Sequence, residues 1–180
     1  VNLTEKLLAT VLSKLSNFIP EGGIWLNTQR PEWNDANNAL VGYGVSMVTL
    51  YYTRRYQQYM LDLFSAVEFD EVEVSAEISQ LLNSIDGTFS DNKHLLDGKI
   101  NDVDRKKVLD RLGLAGDEFR SGIYKDAFSG DRVSVKTADL VAFFELSLEF
   151  IDHTIAANRR EDGLYHAYNL MTAGEDTVEI

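Results

Sequence analysis

The segment 135–158 constrains the fold more than any other part of the chain, because its apolar residues recur at helical spacing. Intervals of three and four residues place these side chains on one face of an α-helix: Leu140, Phe143, Phe144, Leu148, Ile151 and Ile155. Two cations, Arg159 and Arg160, follow at the carboxyl end, where the helix dipole favours positive charge. The apolar face must be buried, so this helix needs partner helices.

The same periodicity predicts those partners. They span 3–18, 37–66, 71–85, 102–112 and 115–126. Asn2 and Glu5 indicate a capping box at the start of the first. The helix 37–66 is apolar on several faces, which predicts burial on more than one side.

Residues 71–85 also alternate as a strand does, but the helical pattern extends further and is preferred; a polar loop follows at 87–101. The predicted fold is therefore all-α and built of helical hairpins. Residues 1–180 form a single domain or a fragment of a larger catalytic domain.

The composition excludes several classes of protein. The chain has no Cys, so disulfide scaffolds, cysteine nucleophiles and Cys-ligated metal sites are impossible. The formal net charge is −12, from 17 Lys and Arg against 29 Asp and Glu, which argues against binding to nucleic acid. No apolar run reaches the roughly 18 residues needed to span a membrane. A cytoplasmic location is favoured, and a leader removed before Val1 is an alternative that the sequence leaves open.

The connection 19–36 contains both tryptophans of the chain. Its candidate residues, with the start of the following helix, are Trp25, Arg30, Glu32, Trp33, Asn34, Asp35 and Asn38. Aromatic rings stack on the apolar faces of sugars, while amides, guanidinium groups and carboxylates bind hydroxyls, so this mixture is typical of a carbohydrate subsite. As a general acid, Asp35 would need its pKa raised by burial or by a neighbouring carboxylate such as Glu32. The alternative is structural: Asp35 caps a helix and both Trp side chains pack.

The connection 159–174 forms a second cluster, with Tyr165, His166, Tyr168 and Asn169 close together. These side chains combine apolar bodies with directional polar tips, which suits a binding site. The alternative is a partly buried tail in which they are only hydrogen-bonded. If the helices 37–66 and 135–158 are antiparallel, both connections lie at the same end of the bundle, and one cleft could hold both clusters.

No metal site is predicted. Residues 97–100 resemble the centre of a calcium loop, but Lys93 and Leu95 stand where carboxylate ligands are needed. His94 and His153 are isolated, without a second His at metal-ligand spacing.

The stretch 30–38 reads Arg-Pro-Glu-Trp-Asn-Asp-Ala-Asn-Asn. It resembles the Asp-Trp-Asn-Asp-Gly stretch of the cellobiose phosphorylase-like enzymes, which belong to the six-hairpin glycosidase group with an (α/α)6 toroid. The resemblance implies that Asp35 is the general acid that protonates the glycosidic oxygen. Two positions differ from the family pattern, Glu32 in place of the first Asp and Ala36 in place of the Gly.

The resemblance implies a fragment of a carbohydrate-active enzyme that cleaves a glycosidic bond by phosphorolysis or hydrolysis. The substrate would be an oligosaccharide or glycoside, with inorganic phosphate as co-substrate in a phosphorylase and no other cofactor. A full toroid has twelve helices, so this chain would be about half of one, with the remainder of a longer chain as its partner and little or no activity in isolation. The competing interpretations are a non-catalytic helical interaction domain and a regulatory domain that binds a basic partner.

Overall fold

The computed structural model describes residues 2–27 and 35–180. Within them the fold is mostly helical, with six α-helices: α1 (Leu3–Leu15), α2 (Asp35–Leu40), α3 (Met47–Ala66), α4 (Ala76–Asn92), α5 (Asp102–Asp126) and α6 (Thr137–Ala157). A 3₁₀ turn, Lys93–Asp97, follows α4. The same residues contain eight short strands: β1 (Phe18–Ile19), β2 (Gly23–Trp25), β3 (Gly44–Ser46), β4 (Glu71–Ser75), β5 (Arg132–Lys136), β6 (Tyr168–Leu170), β7 (Thr172–Ala173) and β8 (Val178–Glu179). The predicted helical character is confirmed, whereas the absence of strands implied by an all-α fold is wrong.

Helices α3 and α6 pack against each other along their lengths and run antiparallel. Near the start of α3, Arg54 donates to Asp152 of α6, with 3.0 Å between Nη2 and Oδ2. Near its end, the rings of Phe64 and Phe144 stack with centroids 6.1 Å apart. Since the residue numbers rise along α3 while those of their partners fall along α6, the start of α3 and the end of α6 lie at the same end of the molecule.

The core lies between these two helices and α1, α4 and α5. Its largest fully buried side chains include five phenylalanines: Phe18, Phe89, Phe143, Phe144 and Phe150. The Phe89 ring lies 4.7 Å from that of Phe150 and 5.9 Å, edge to face, from that of Phe18. Of the predicted apolar face of α6, Leu140, Phe143, Phe144 and Ile151 lie in this core, Ile155 packs at its edge, and Leu148 is buried outside it.

The predicted helix 37–66 is wrong as one unit, because glycines divide it into α2, β3 and α3. Gly42 has a φ of +91°, a conformation that a helix does not contain. At Gly44 a Cβ atom would lie 2.3 Å from Cβ of Leu40, so the close approach of α2 and β3 requires glycine. Helix α3 packs against α6, α1 and β2, in line with the predicted burial on more than one side, and leaves one face open with Tyr52 and Tyr59 more than half exposed.

The ambiguous segment 71–85 contains both predicted structures in succession. Residues Glu71–Ser75 form β4, which pairs antiparallel with β5, and α4 begins only at Ala76. The predicted polar loop 87–101 is wrong over its first part, since α4 continues to Asn92 and the 3₁₀ turn follows it. The two predicted helices 102–112 and 115–126 are one helix, α5, which packs antiparallel to α4 as a hairpin. Packing of its buried residues offsets the roughly 1 kcal/mol that a mid-helix glycine such as Gly113 costs.

Glu5 joins α1 to the β4–β5 ribbon through a buried carboxylate. The predicted capping box is confirmed, with 3.0 Å between N of Asn2 and Oε2 of Glu5. The carboxylate also accepts hydrogen bonds from N of Ser75 at 2.7 Å and Nη1 of Arg132 at 2.9 Å. Burial by itself would raise the pKa of Glu5, but these hydrogen bonds more than offset it and lower the pKa from 4.5 to about 2.

We expect Glu5 to contribute to stability in a pH-dependent manner. Because the pKa is depressed in the folded state, the contribution is complete above the unfolded pKa of 4.5 and is lost as pH falls toward about 2. The variant Glu5→Gln should lower the free energy of unfolding by about 3 kcal/mol at pH 7, and the deficit should shrink below pH ~4.5. Urea unfolding at pH 7, 5, 4 and 3 measures this; Glu118→Gln on the exposed face of α5 is the control and should change little. A deficit that is the same at pH 3 and pH 7 would contradict the role of the carboxylate.

Candidate functional site

The two polar connections meet where α3 begins and α6 ends. Strand β3, directly before α3, pairs antiparallel with β6, with Val45 opposite Asn169 and Ser46 opposite Tyr168. The first two amides of α3 donate to the carbonyl of Ala167 at 3.0 and 3.2 Å. The segment after α6 is therefore held against the amino terminus of α3.

Tyr165 and His166 lie on the surface of this junction. The Tyr165 side chain is 47% exposed, and its ring meets that of Tyr51 edge to face with centroids 6.3 Å apart. The hydroxyl of Tyr51 donates to the carbonyl of His166 at 2.8 Å. Burial, with a smaller contribution from Tyr165, raises the pKa of Tyr51, so this hydroxyl keeps its proton at neutral pH. The aromatic pair thus fixes the backbone that presents the His166 imidazole.

A polar cleft lies beside His166; we define it by Glu21, His153, Asn158, His166 and Asn169. Two amide side chains form its floor. Asn158 donates to the carbonyl of Glu21 at 2.8 Å, and its Oδ1 accepts from Nδ2 of Asn169 at 2.7 Å. These bonds join the end of α6 to β6 and to the turn before β2.

Glu21, which borders the cleft, forms a buried ion pair with Arg105 of α5. Arg105 is 3% exposed, and its Nη2 lies 2.8 Å from Oε2 of Glu21. All five N–H groups of the guanidinium have acceptors, which belong to Pro20, Glu21, Ile100, Asp102 and Val178. Because every donor is satisfied within the protein, Arg105 organises the cleft and leaves no N–H for a ligand.

His153 connects this buried pair to solvent. Its Nε2 lies 3.3 Å from Oε1 of Glu21, which also accepts from N of Ile100 at 3.0 Å. The His153 side chain is 21% exposed and borders the cleft. A carboxylate fixed by several partners can orient an imidazole, and an oriented imidazole can donate or accept a proton.

Trp25 lies on a different concave surface from His166. Its Nε1 donates to the carbonyl of Gly42 at 3.0 Å, and part of the side chain packs against a cluster formed by Ile19, Val45, Leu109, Met171 and Val178. The rest of the ring borders a groove against α5. The prediction that one cleft holds both Trp25 and His166 is therefore wrong.

The remaining predicted residues have a different status. Arg30, Glu32, Trp33 and Asn34 lie outside the described residues. Helix α2 begins at Asp35, near the predicted helix amino terminus, and the Asp35 side chain lies outside the part of the chain that the structure describes. Asn38 is an exposed residue of α2. The catalytic assignments to Asp35 and Glu32 stay predictions.

Sequence reasoning missed the residues that organise the polar cleft. Arg105 and Glu21 are 84 residues apart, and His153 and Glu21 are 132 apart, so no local pattern connects them. The available signal was weak: Glu21 precedes two glycines in a segment between a helix and a short strand. A positive φ of 59° at Glu21 marks the tight turn that directs its side chain inward.

Among residues 2–27 and 35–180, no group of three or more His, Asp or Glu side chains could hold a metal ion. None of the helices described there is both long and apolar enough to cross a membrane. The chain matches no protein-family model, and no curated protein matches it.

We expect Glu21→Gln to destabilise the protein strongly, because it leaves the buried charge of Arg105 without its carboxylate partner. The free energy of unfolding should fall by about 3 kcal/mol, as measured by urea unfolding at pH 7. The matched control is Asp110→Asn, which removes an exposed ion pair with Lys106 on the same helix and should cost less than about 0.5 kcal/mol. Similar losses for the two variants would show that the buried pair has no special structural role.

Proposed function

We propose that this chain forms one wall of the active-site cleft of a glycoside phosphorylase- or hydrolase-like enzyme. The observation that carries the proposal is the β3–β6 pairing at the open end of the antiparallel α3–α6 pair. It joins the segment that follows Trp33-Asn34-Asp35 to the segment that contains Tyr165 and His166. In this proposal the helices belong to an (α/α)6 toroid, of which the α4–α5 hairpin is one unit.

The roles of the residues follow from their chemistry. Asp35 protonates the glycosidic oxygen, and Glu32 is the neighbouring carboxylate that raises its pKa. Tyr165 offers an exposed aromatic face to a sugar, and His166 offers a polar tip. The further sugar contacts proposed from the sequence for this cleft are Arg30, Trp33, Asn34 and Asn38; Trp25, also proposed from the sequence, borders a separate groove. Inorganic phosphate is the co-substrate if the reaction is phosphorolysis.

The first test measures sugar binding at the junction of α3 and α6. We expect cellobiose and cellotetraose to bind the protein weakly, as detected by saturation-transfer NMR. Tyr165→Ala should weaken about tenfold the binding that is followed through the His166 ring signals, because it removes the exposed ring beside His166.

Tyr124→Ala is the matched control. Tyr124 is an 87% exposed tyrosine near the end of α5, and its removal should leave sugar binding unchanged. Equal effects of the two variants, or no binding by the unmodified protein at 10–50 mM sugar (roughly the weakest affinity that a cleft of this kind provides), would contradict the proposal.

A second test measures turnover. We expect the isolated chain to release little or no product from a β-glucoside, with or without inorganic phosphate, because the remaining hairpins of the toroid are needed to complete the site. Measurable turnover that Asp35→Asn abolishes would overturn the expectation of inactivity and would support Asp35 as the general acid.

One observation favours the alternative, a non-catalytic interaction domain. Tyr52 and Tyr59 are 65% and 59% exposed, and their seven-residue spacing puts them on one face of α3. The guanidinium of Arg55 lies 6.0 Å from the ring of Tyr52 on that face. Exposed aromatic side chains beside an arginine are typical of the centre of a protein interface.

If this face binds a second copy of the chain, sedimentation velocity should show concentration-dependent association. The double substitution Tyr52→Ser and Tyr59→Ser should abolish it, and Tyr124→Ser should not. A protein that stays monomeric up to about 1 mM, where even a weak contact of roughly −4 kcal/mol would be populated, would contradict self-association through α3.

A further inference from the structure

The groove beside Trp25 combines an apolar floor with a polar rim. Its floor contains Leu109, Met171 and Val178, all of which are at least nine-tenths buried, and Trp25 forms one side. We call this surface the Trp25 groove. It is separate from the polar cleft, with which it shares none of its lining residues.

Trp25 is held rigidly on this surface. Its backbone N donates to the carbonyl of Asn17 at 2.8 Å, and its Nε1 donates to the carbonyl of Gly42 at 3.0 Å. The indole N–H is therefore satisfied, and the remaining exposed part of the side chain is apolar. A fixed aromatic surface loses little conformational entropy when a ligand stacks on it.

Helix α5 forms the opposite side, through residues that repeat every three or four positions: Lys106, Leu109, Asp110, Gly113, Leu114 and Asp117. Gly113 lies in the middle of this face. Within the part of the chain that the structure describes, a Cβ atom built at Gly113 would meet nothing within 4 Å, whereas one at Gly116 would lie 2.7 Å from Cβ of Ser16. Packing thus explains Gly116, while Gly113 leaves open space at the centre of the groove.

The rim carries charges that cancel. Lys106 pairs with Asp110, and Arg120 lies 3.8 Å from Asp117, so among the described residues of the rim two cations and two carboxylates sum to zero. Two side-chain amides, Asn17 and Asn27, bond to each other on the other side. A surface of this kind offers many hydrogen-bonding groups but no net attraction for an anion or a cation, so it favours an uncharged, polar ligand with an apolar face.

We propose that the Trp25 groove is a second glycoside-binding site, in which a neutral sugar ring stacks on Trp25 and its hydroxyls bond to the rim of α5. The proposal rests on the proposed function for the class of ligand; the location depends only on the geometry of the groove.

The test fills the groove without disturbing the core. Gly113→Phe places a ring in the open space at Gly113, and Gly113→Ala adds only a methyl group. Gly122→Phe is the matched control, because it makes the same change in the same helix, also where a Cβ meets nothing, but outside the groove. Thermal unfolding of all three should have midpoints equal to or above that of the unmodified protein, since each replaces a mid-helix glycine.

Cellotetraose is the probe, followed by ¹H–¹⁵N NMR. The Trp25 indole N–H signal should shift during the titration; Trp33→Phe identifies that signal. Gly113→Phe should weaken this response at least tenfold, while Gly113→Ala and Gly122→Phe should retain it. An unshifted Trp25 indole at saturating sugar, or an unchanged affinity in a folded Gly113→Phe protein, would overturn the proposal.

These variants test the two proposed sites independently. Binding that Tyr165→Ala abolishes and Gly113→Phe does not would overturn the Trp25 groove and support the site at Tyr165. Binding that survives Tyr165→Ala but is lost in Gly113→Phe would support the Trp25 groove and contradict the role of Tyr165. A sugar that binds neither site overturns both.

Discussion

The ion pair between Arg105 and Glu21 is the interaction on which the arrangement of both surfaces depends. Removing two charges from water costs several kcal/mol per ion, and only near-complete hydrogen bonding offsets that cost. Here the guanidinium satisfies all five of its N–H groups, and the carboxylate accepts from Arg105 and from the backbone of Ile100. The pair thereby joins the turn before β2, the start of α5 and strand β8 at a single point.

This network also explains the unusual backbone of Glu21. A backbone φ of 59° at a non-glycine residue costs about 1–2 kcal/mol. Such a strained conformation persists only where several surrounding contacts hold the residue in place. The backbone N of Glu21 donates to Oγ1 of Thr154 at 3.0 Å, and its carbonyl accepts from Asn158 at 2.8 Å. The end of α6 therefore holds the same turn that Arg105 holds from α5, and His153 is placed against Glu21 as a result.

The position of α5 links the polar cleft to the Trp25 groove. Arg105 fixes the start of the helix, and Gly116 allows its middle to approach Ser16 at the end of α1. Lys106, Leu109, Asp110, Gly113 and Leu114 lie between these two points and line the groove opposite Trp25, so the two contacts help to set its width. The polar cleft and the Trp25 groove therefore lie on two sides of the amino-terminal half of α5. The exposed aromatic face of α3, with Tyr52 and Tyr59, is a third surface.

The sequence by itself determined the helical framework, because an apolar stripe such as that of 135–158 can be buried only as a helix face. It also singled out Trp25, Tyr165 and His166 as candidates by residue type. Only the tertiary structure decided that α2, β3 and α3 divide at Gly42 and Gly44, since a helix can contain a glycine at a modest cost and the pairing of β3 with β2 and β6 is a long-range contact. It also separated Trp25 from His166 and brought Glu21 to Arg105 and His153, since burial and long-range hydrogen bonds, rather than periodicity, select those partners.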